Sequence, residues 1–308
     1  AALSGGAYWC VVRPSGYGCG PSLGLLWGLY WTLLMYHLYP QKEFPTQGLY
    51  ILLVLVIGFG LGGTQGYGQF NQWIQGTFYL DSSSESHIPI SPVYGFYHLF
   101  IVGLTWGGFP ALFLSWLIVS KERGWKIWLT RIGIAGAGFL LTQLLIAWFP
   151  QLFLPFHERG YYADVGRCPD SQRTLETARN TYGYLGIFLS LSVFTCIMER
   201  RSLQVLLPIS FGFAISFSVG GLLHVGYTIP GMEHLPWWKM WEFCCGFGGG
   251  LALFFTFWRC EKTGLLKDLA NRNRDAKGRD YWWGFWIPLF VSIGELARDR
   301  LHQIAKLF

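Results

Sequence analysis

The chain has 308 residues, 23 Lys and Arg against 17 Asp and Glu, a net charge of +6, and only 13% charged residues. A soluble domain carries about 25%, so an ordinary soluble globular fold is excluded. The 25 Phe, 16 Tyr, 16 Trp and 40 Gly lie largely in long uncharged runs. This is the composition of an all-α polytopic membrane protein.

A helix crosses a hydrocarbon core roughly 30 Å thick with about 18 to 20 uncharged residues. About eight transmembrane helices are expected by that criterion. Residues 1–20 read as an extracytoplasmic N-terminal segment, without the basic, apolar and small-residue pattern of a signal peptide. Cys10 and Cys19 flank a Pro- and Gly-containing stretch there, and a disulfide or two free thiols both fit. A first half, 21–149, holds apolar runs at 21–39, 48–66, 93–119 and 132–149. A polar extracytoplasmic loop, 150–181, leads to a second half, 182–294, with runs at 182–198, 203–224, 240–258 and 281–294. The last is short enough to lie on the interface instead of spanning, and 295–308 form a C-terminal tail.

Lys and Arg accumulate in cytoplasmic loops. With the N-terminus extracytoplasmic, alternate loops hold 14 of the 23 cations inside and nine outside. Four of those nine, Arg159, Arg167, Arg173 and Arg179, share one loop with Glu158, Asp164, Asp170 and Glu176. That loop is neutral, and ion pairs among these residues are expected to order it. The basic stretch 259–279 reads as a solvated cytoplasmic loop, and no nucleic-acid partner is expected.

Two segments resemble each other within the chain. Phe59-Gly60-Leu61-Gly62-Gly63 matches Phe217-Ser218-Val219-Gly220-Gly221, and the glycines Gly103 and Gly107 precede ALFL as Gly246 and Gly250 precede ALFF. Two tandem four-helix repeats are one explanation; chance in a Gly- and Phe-rich chain is the other. Gly58, Gly62 and Gly66 form a smooth stripe on one helix, and Gly212, Ser216 and Gly220 form another that ends at His224. Small residues admit close helix packing in lipid, while the ends of such stripes can also border a cavity mouth.

The candidate ligand-binding residues cluster at that mouth. They are Gln65, Tyr67, Gln69, Trp73, Asp81, Glu85 and His87 after the second run, His98 in the third, His224, Tyr227 and Glu233 after the sixth, and Glu242 in the seventh. Amides and carboxylates hydrogen-bond hydroxyls and aromatic faces offer flat apolar area, so the mixture suits a sugar ring or an amphiphilic headgroup. Trp237, Trp238, Trp282 and Trp283 read as an interfacial belt. Glu242, in an otherwise uncharged helix, demands a partner: His98 if the halves face each other, Lys239 otherwise.

No His or Cys spacing is diagnostic of a metal, bis-histidine haem has no matched inward pair, and no phosphate-binding glycine loop is present. No cofactor is therefore expected. The expected function is an integral membrane carrier or binding protein for an amphiphilic, lipid-linked or glycan-like substrate. Membrane lipids are its expected surroundings, with other membrane subunits or a homo-oligomer as further partners. Two alternatives remain open. One is a non-catalytic subunit of a larger membrane complex. The other is an acid–base enzyme using Asp81, Glu85, His87, Glu233 or Glu242, with Arg159 or Arg167 holding an anionic headgroup.

Overall fold

Apolar segments fold as helices because a backbone away from water must satisfy its own N–H and C=O groups. A computed structural model describes residues 2–12, 19–39, 44–120 and 124–272. The described chain runs α1 (Ala2–Val12), α2 (Cys19–Leu38), α3 (Phe44–Gly62), α4 (Gly68–Ile74), β1 (Thr77–Asp81), β2 (Ser86–Pro89) and α5 (Pro92–Ile118). It continues through α6 (Trp125–Trp148), α7 (Pro150–Phe153), α8 (Pro169–Met198), α9 (Leu203–Gly220), α10 (Trp237–Lys262) and α11 (Leu265–Arg272). The strands form a small antiparallel hairpin, pairing Phe78 with Ile88 and Tyr79 with His87.

Five of the described helices are long and apolar enough to cross a membrane: Pro92–Ile118, Trp125–Trp148, Pro169–Met198, Arg200–Thr228 and Trp237–Lys262. This is a multi-pass helical membrane protein. The apolar part of α3, Gly48–Gly62, is shorter. Helix α2 is uncharged and 20 residues long, but its Gly, Trp and Tyr content keeps it out of that group. The expected span at 281–294, with Trp282 and Trp283, lies outside the described residues.

Helix α5 is the axis of the bundle, with 89% of its apolar window buried, against 17% for α6. Its neighbours are α3 on one side and α9 on another, while α10 packs on α9 and α1, and α6 on α8. Residues 2–12, within the expected N-terminal segment, form a helix packed on α10. Trp9 of α1 is fully buried, 5.0 Å from the Trp106 ring and 5.6 Å from that of Phe217. Cys10 has a free thiol, and its Sγ lies 3.0 Å from the Lys239 carbonyl oxygen; the Cys19 side chain lies outside the described residues.

Glycine makes these approaches possible. A Cβ at Gly58 would stand 2.4 Å from Pro110 Cα, and one at Gly107 would stand 2.7 Å from the Ile209 carbonyl oxygen. The stripes are therefore closed helix contacts, the use that small residues commonly have in lipid. Four-helix halves are not separate bundles here, since α5 and α6 make extensive contacts with α9 and α8.

The polar segment between α7 and α8 is held by capture of backbone carbonyls. Tyr162 Oη donates to Pro155 O at 2.6 Å, Ser171 Oγ donates to Cys168 O at 2.8 Å and to Tyr161 O, and Gln172 Nε2 donates to Tyr162 O. Among the described residues the ion pairs are Arg201–Asp268, Lys239–Glu242 and Lys262–Glu261. The expected pairing of Arg173 and Arg179 with Glu176 is absent. These side chains reach water, where an ion pair is worth little against its entropy, and the buried carbonyls are what needed partners.

Candidate functional site

Helix α4 sets up the site through its amphipathic pattern. Gly68, Asn71, Gln72 and Gln75 recur at spacings of three and four, so they share one face of a helical turn. The other face carries Phe70, Trp73 and Ile74, all buried. Against the amide face lies a cleft of about 430 Å³. Its walls are Gln69, Asn71, Gln72, Trp73 and Gln75 from this segment, Tyr79 and Ser82 from the hairpin, Asp170, Arg173 and Thr174 from α8, and Tyr227 and Trp238. Residues from the segment after α3 and from the segment before α10 thus line one cleft.

Local contacts fix the walls. Asp170 Oδ2 accepts a hydrogen bond from Ser82 N at 2.5 Å, tying the hairpin to the start of α8. Gln69 Nε2 makes a long 3.5 Å contact to the Arg173 carbonyl oxygen. Tyr227 Oη accepts from Trp238 N at 3.2 Å. Arg173 forms no ion pair among the described residues.

Asn71 is the outlier. Its side chain is fully buried on the cleft wall, and among the described residues neither Oδ1 nor Nδ2 has a hydrogen-bond partner. A buried amide without partners costs about 1 to 3 kcal/mol, so its presence requires an explanation. Asn71, Asp170, Arg173 and Thr174 are not among the candidate binding residues read from the sequence. The spacing of the α4 amides was the available signal for the first. Nothing local connects 170–174 to that face, because α8 arrives there only through the fold.

The residues that were selected separate into four groups. Gln69, Trp73 and Tyr227 line the cleft. Gln65 and Tyr67 are buried beside it: Gln65 Oε1 accepts from Thr105 Oγ1 at 2.9 Å, Gln65 Nε2 donates to Gly62 O at 3.2 Å, and the Tyr67 ring lies 5.3 Å from that of Trp241. His224 is also fully buried, with neither ring nitrogen partnered among the described residues and its ring 6.0 Å from Tyr227 and 5.3 Å from Trp241. Glu85 and His87 are exposed on the hairpin and Glu233 is exposed before α10. Asp81 closes the hairpin turn, accepting from Ser83 N at 2.9 Å, Ser83 Oγ at 2.7 Å and Ser84 Oγ at 2.8 Å. Those hydroxyl donors hold its carboxyl below the usual carboxylate range.

His98 and Glu242 are not partners of each other. His98 sits among Phe70, Trp73 and Tyr182, with Nδ1 2.7 Å from Tyr94 O and Nε2 3.2 Å from Tyr182 Oη. Glu242 is fully buried, accepting from Lys239 Nζ and Trp238 Nε1, each at 2.6 Å. Trp73 is 1% exposed and stacks at 5.7 Å on Phe78, so it is a core residue that also forms cleft wall. Trp237 and Trp238 are half-buried and hydrogen-bonded, to Met232 O and Glu242 Oε1 respectively. Interior partners, and not an aromatic belt alone, decide their placement.

Among the described residues no group of three or more His, Cys, Asp or Glu is placed to hold a metal ion. Compared with protein-family models, curated proteins and solved structures, the chain matches none. The helices define its class, a multi-pass helical membrane protein, and the functional argument rests on the cleft.

Proposed function

We propose that the chain is an integral membrane carrier or binding protein for an amphiphilic, glycan-like or lipid-linked substrate, whose hydroxyl-rich head enters the cleft beside α4. The observation that carries this reading is the amide wall of the cleft, where Gln69, Gln72 and Gln75 are half-buried and the buried Asn71 amide beside them has no partner among the described residues. A carboxamide presents a donor and an acceptor side by side, which complements adjacent sugar hydroxyls. Trp73, Tyr79, Tyr227 and Trp238 supply aromatic surface beside it. The loop charges favour an orientation with this end of the bundle extracytoplasmic. In that orientation a cysteine introduced at Ser83 is labelled from outside intact cells and one at Ala276 is not.

The test is a thermal-stability titration of the purified chain with an alkyl glycoside, against a polyoxyethylene detergent of equal chain length. The glycoside should stabilise the wild type selectively. Asn71→Leu should abolish that selectivity while leaving the unliganded protein as stable or more so, because an apolar side chain replaces two unsatisfied atoms. Equal responses to both detergents, or a variant that responds like wild type, would remove the proposal.

A non-catalytic subunit is the second reading, supported by the outward apolar face of α6, including Leu129, Leu140, Leu141 and Leu144. Lipid covers such a face equally well. Obligate co-purification with another membrane chain would favour the subunit. The acid–base alternative has little support, since Asp81 is engaged in a turn and Glu242 in an ion pair.

A further inference from the structure

At the end of the bundle away from the cleft, a second small cavity of about 130 Å³ opens between α5, α6 and α8. Helix α8 connects the two: from Arg173 at the cleft to Thr195 at the cavity is 22 residues, about 33 Å at 1.5 Å per residue. That matches the roughly 30 Å of a hydrocarbon core, so the cavity sits near the opposite membrane surface. Its walls include Ser120, Arg131, Phe194, Thr195, Met198 and Glu199.

Arg131 dominates this cavity. Counted from the sequence as a loop cation, it lies instead inside α6 and is only 6% exposed. The guanidinium packs against two mutually perpendicular indoles, 4.2 Å from the Trp116 ring and 4.8 Å from the Trp128 ring. Trp116 is itself held in place by a 2.9 Å hydrogen bond from Nε1 to Thr195 Oγ1. Nη2 donates to Ser120 Oγ at 3.3 Å, and Nε is buried without a partner among the described residues. No carboxylate pairs with Arg131 among the described residues, although Glu199 stands on the cavity wall.

A buried cation of this kind requires compensation. The two indole faces supply part of it through their quadrupoles. Apart from the long bond to Ser120 the N–H fork meets no acceptor among the described residues, and such a fork matches the oxygens of a phosphate in bidentate fashion. The cavity has the volume of about four waters at ~30 Å³ each, enough for one phosphate group and too small for a sugar-bearing head. We infer that Arg131, with the two indoles it packs against, forms an oxyanion site for a phosphate group presented at the membrane surface, either as a phospholipid headgroup or as free phosphate. Basic pockets between membrane helices commonly hold anionic headgroups. This site is independent of the cleft beside α4.

The experiment uses the full chain in a neutral detergent, with phosphatidylglycerol and inorganic phosphate as separate probes and phosphatidylcholine as control. Native mass spectrometry reads lipid retention and thermal stability reads phosphate binding. Wild type should bind one of the two phosphate probes. Arg131→Gln should bind it at least about tenfold more weakly, the size of one lost charge-assisted hydrogen bond. Glu199→Gln should tighten binding about two- to fivefold, as expected when a half-buried like charge is removed from beside an anion. Retention of phosphatidylglycerol that inorganic phosphate does not displace assigns the site to lipid; displacement and stabilisation by inorganic phosphate assign it to the free ion. If Arg131→Gln does not give a monodisperse protein, Met198→Trp fills the cavity while keeping the cation, and should cause the same loss. Undiminished binding in the Gln or the Trp variant, or weaker binding in Glu199→Gln, overturns the inference.

Discussion

Lys239 Nζ lies 2.6 Å from Glu242 Oε2, one turn along α10, and the same nitrogen donates to the Cys10 carbonyl oxygen at 3.1 Å. The ammonium therefore joins α10 to α1 while neutralising a carboxylate that has no exposure to water. Lys239→Ala should take the ammonium away from that buried carboxylate, costing about 3 kcal/mol or more. Glu242→Gln should cost less, because its amide oxygen still accepts from Trp238 and Lys239 is free to turn toward solvent. Thermal unfolding of both variants checks the ranking; the reverse order would mean that the carboxylate is not charged in the folded protein.

Trp73 separates packing from binding. It is wedged among Phe70, Phe78 and His98, with ring centroids at 5.1, 5.7 and 5.0 Å. Trp73→Ala should destabilise by about 3 to 5 kcal/mol, as for other large core truncations. Gln72→Ala, at a half-buried position on the cleft wall, should leave the melting temperature within error and weaken ligand binding alone.

Asp81 makes the hairpin acid-sensitive. Its folded carboxyl titrates below its unfolded value of about 3.9, owing to hydrogen bonds from Ser83 and Ser84. The contribution is thus present above the unfolded value and is lost as pH falls through the lower, folded one. Proteolysis at the 82–85 turn should accelerate over that acid window in the wild type and show no such step in Asp81→Asn, monitored with an acid-active protease.

Two glycine substitutions should behave oppositely. Gly58→Ala places a methyl 2.4 Å from Pro110 Cα and must push α3 from α5, costing about 1 to 3 kcal/mol. Gly133→Ala, in α6 with nothing within 4 Å of the new carbon, should be neutral or stabilising by up to about 1 kcal/mol. Melting temperatures of the two variants, measured side by side, decide it.

Helix positions were legible in the sequence because uncharged length is a local property, and the runs at 93–119, 132–149, 182–198, 203–224 and 240–258 all fall on long apolar helices. The amide and aromatic character of 65–79 was legible for the same reason. Which way each helix faces was not. In water, apolarity marks the inward side, but lipid is as apolar as a protein core, so Phe213 at the centre and Phe254 on the outside read alike. Only the tertiary structure placed Trp73 among aromatic rings, brought Arg173 from α8 to the α4 amides, and buried Arg131 against two indoles. Each of these depends on contacts between residues distant in the chain, where the cost of an unpaired amide or cation is decided by neighbours that no local pattern names.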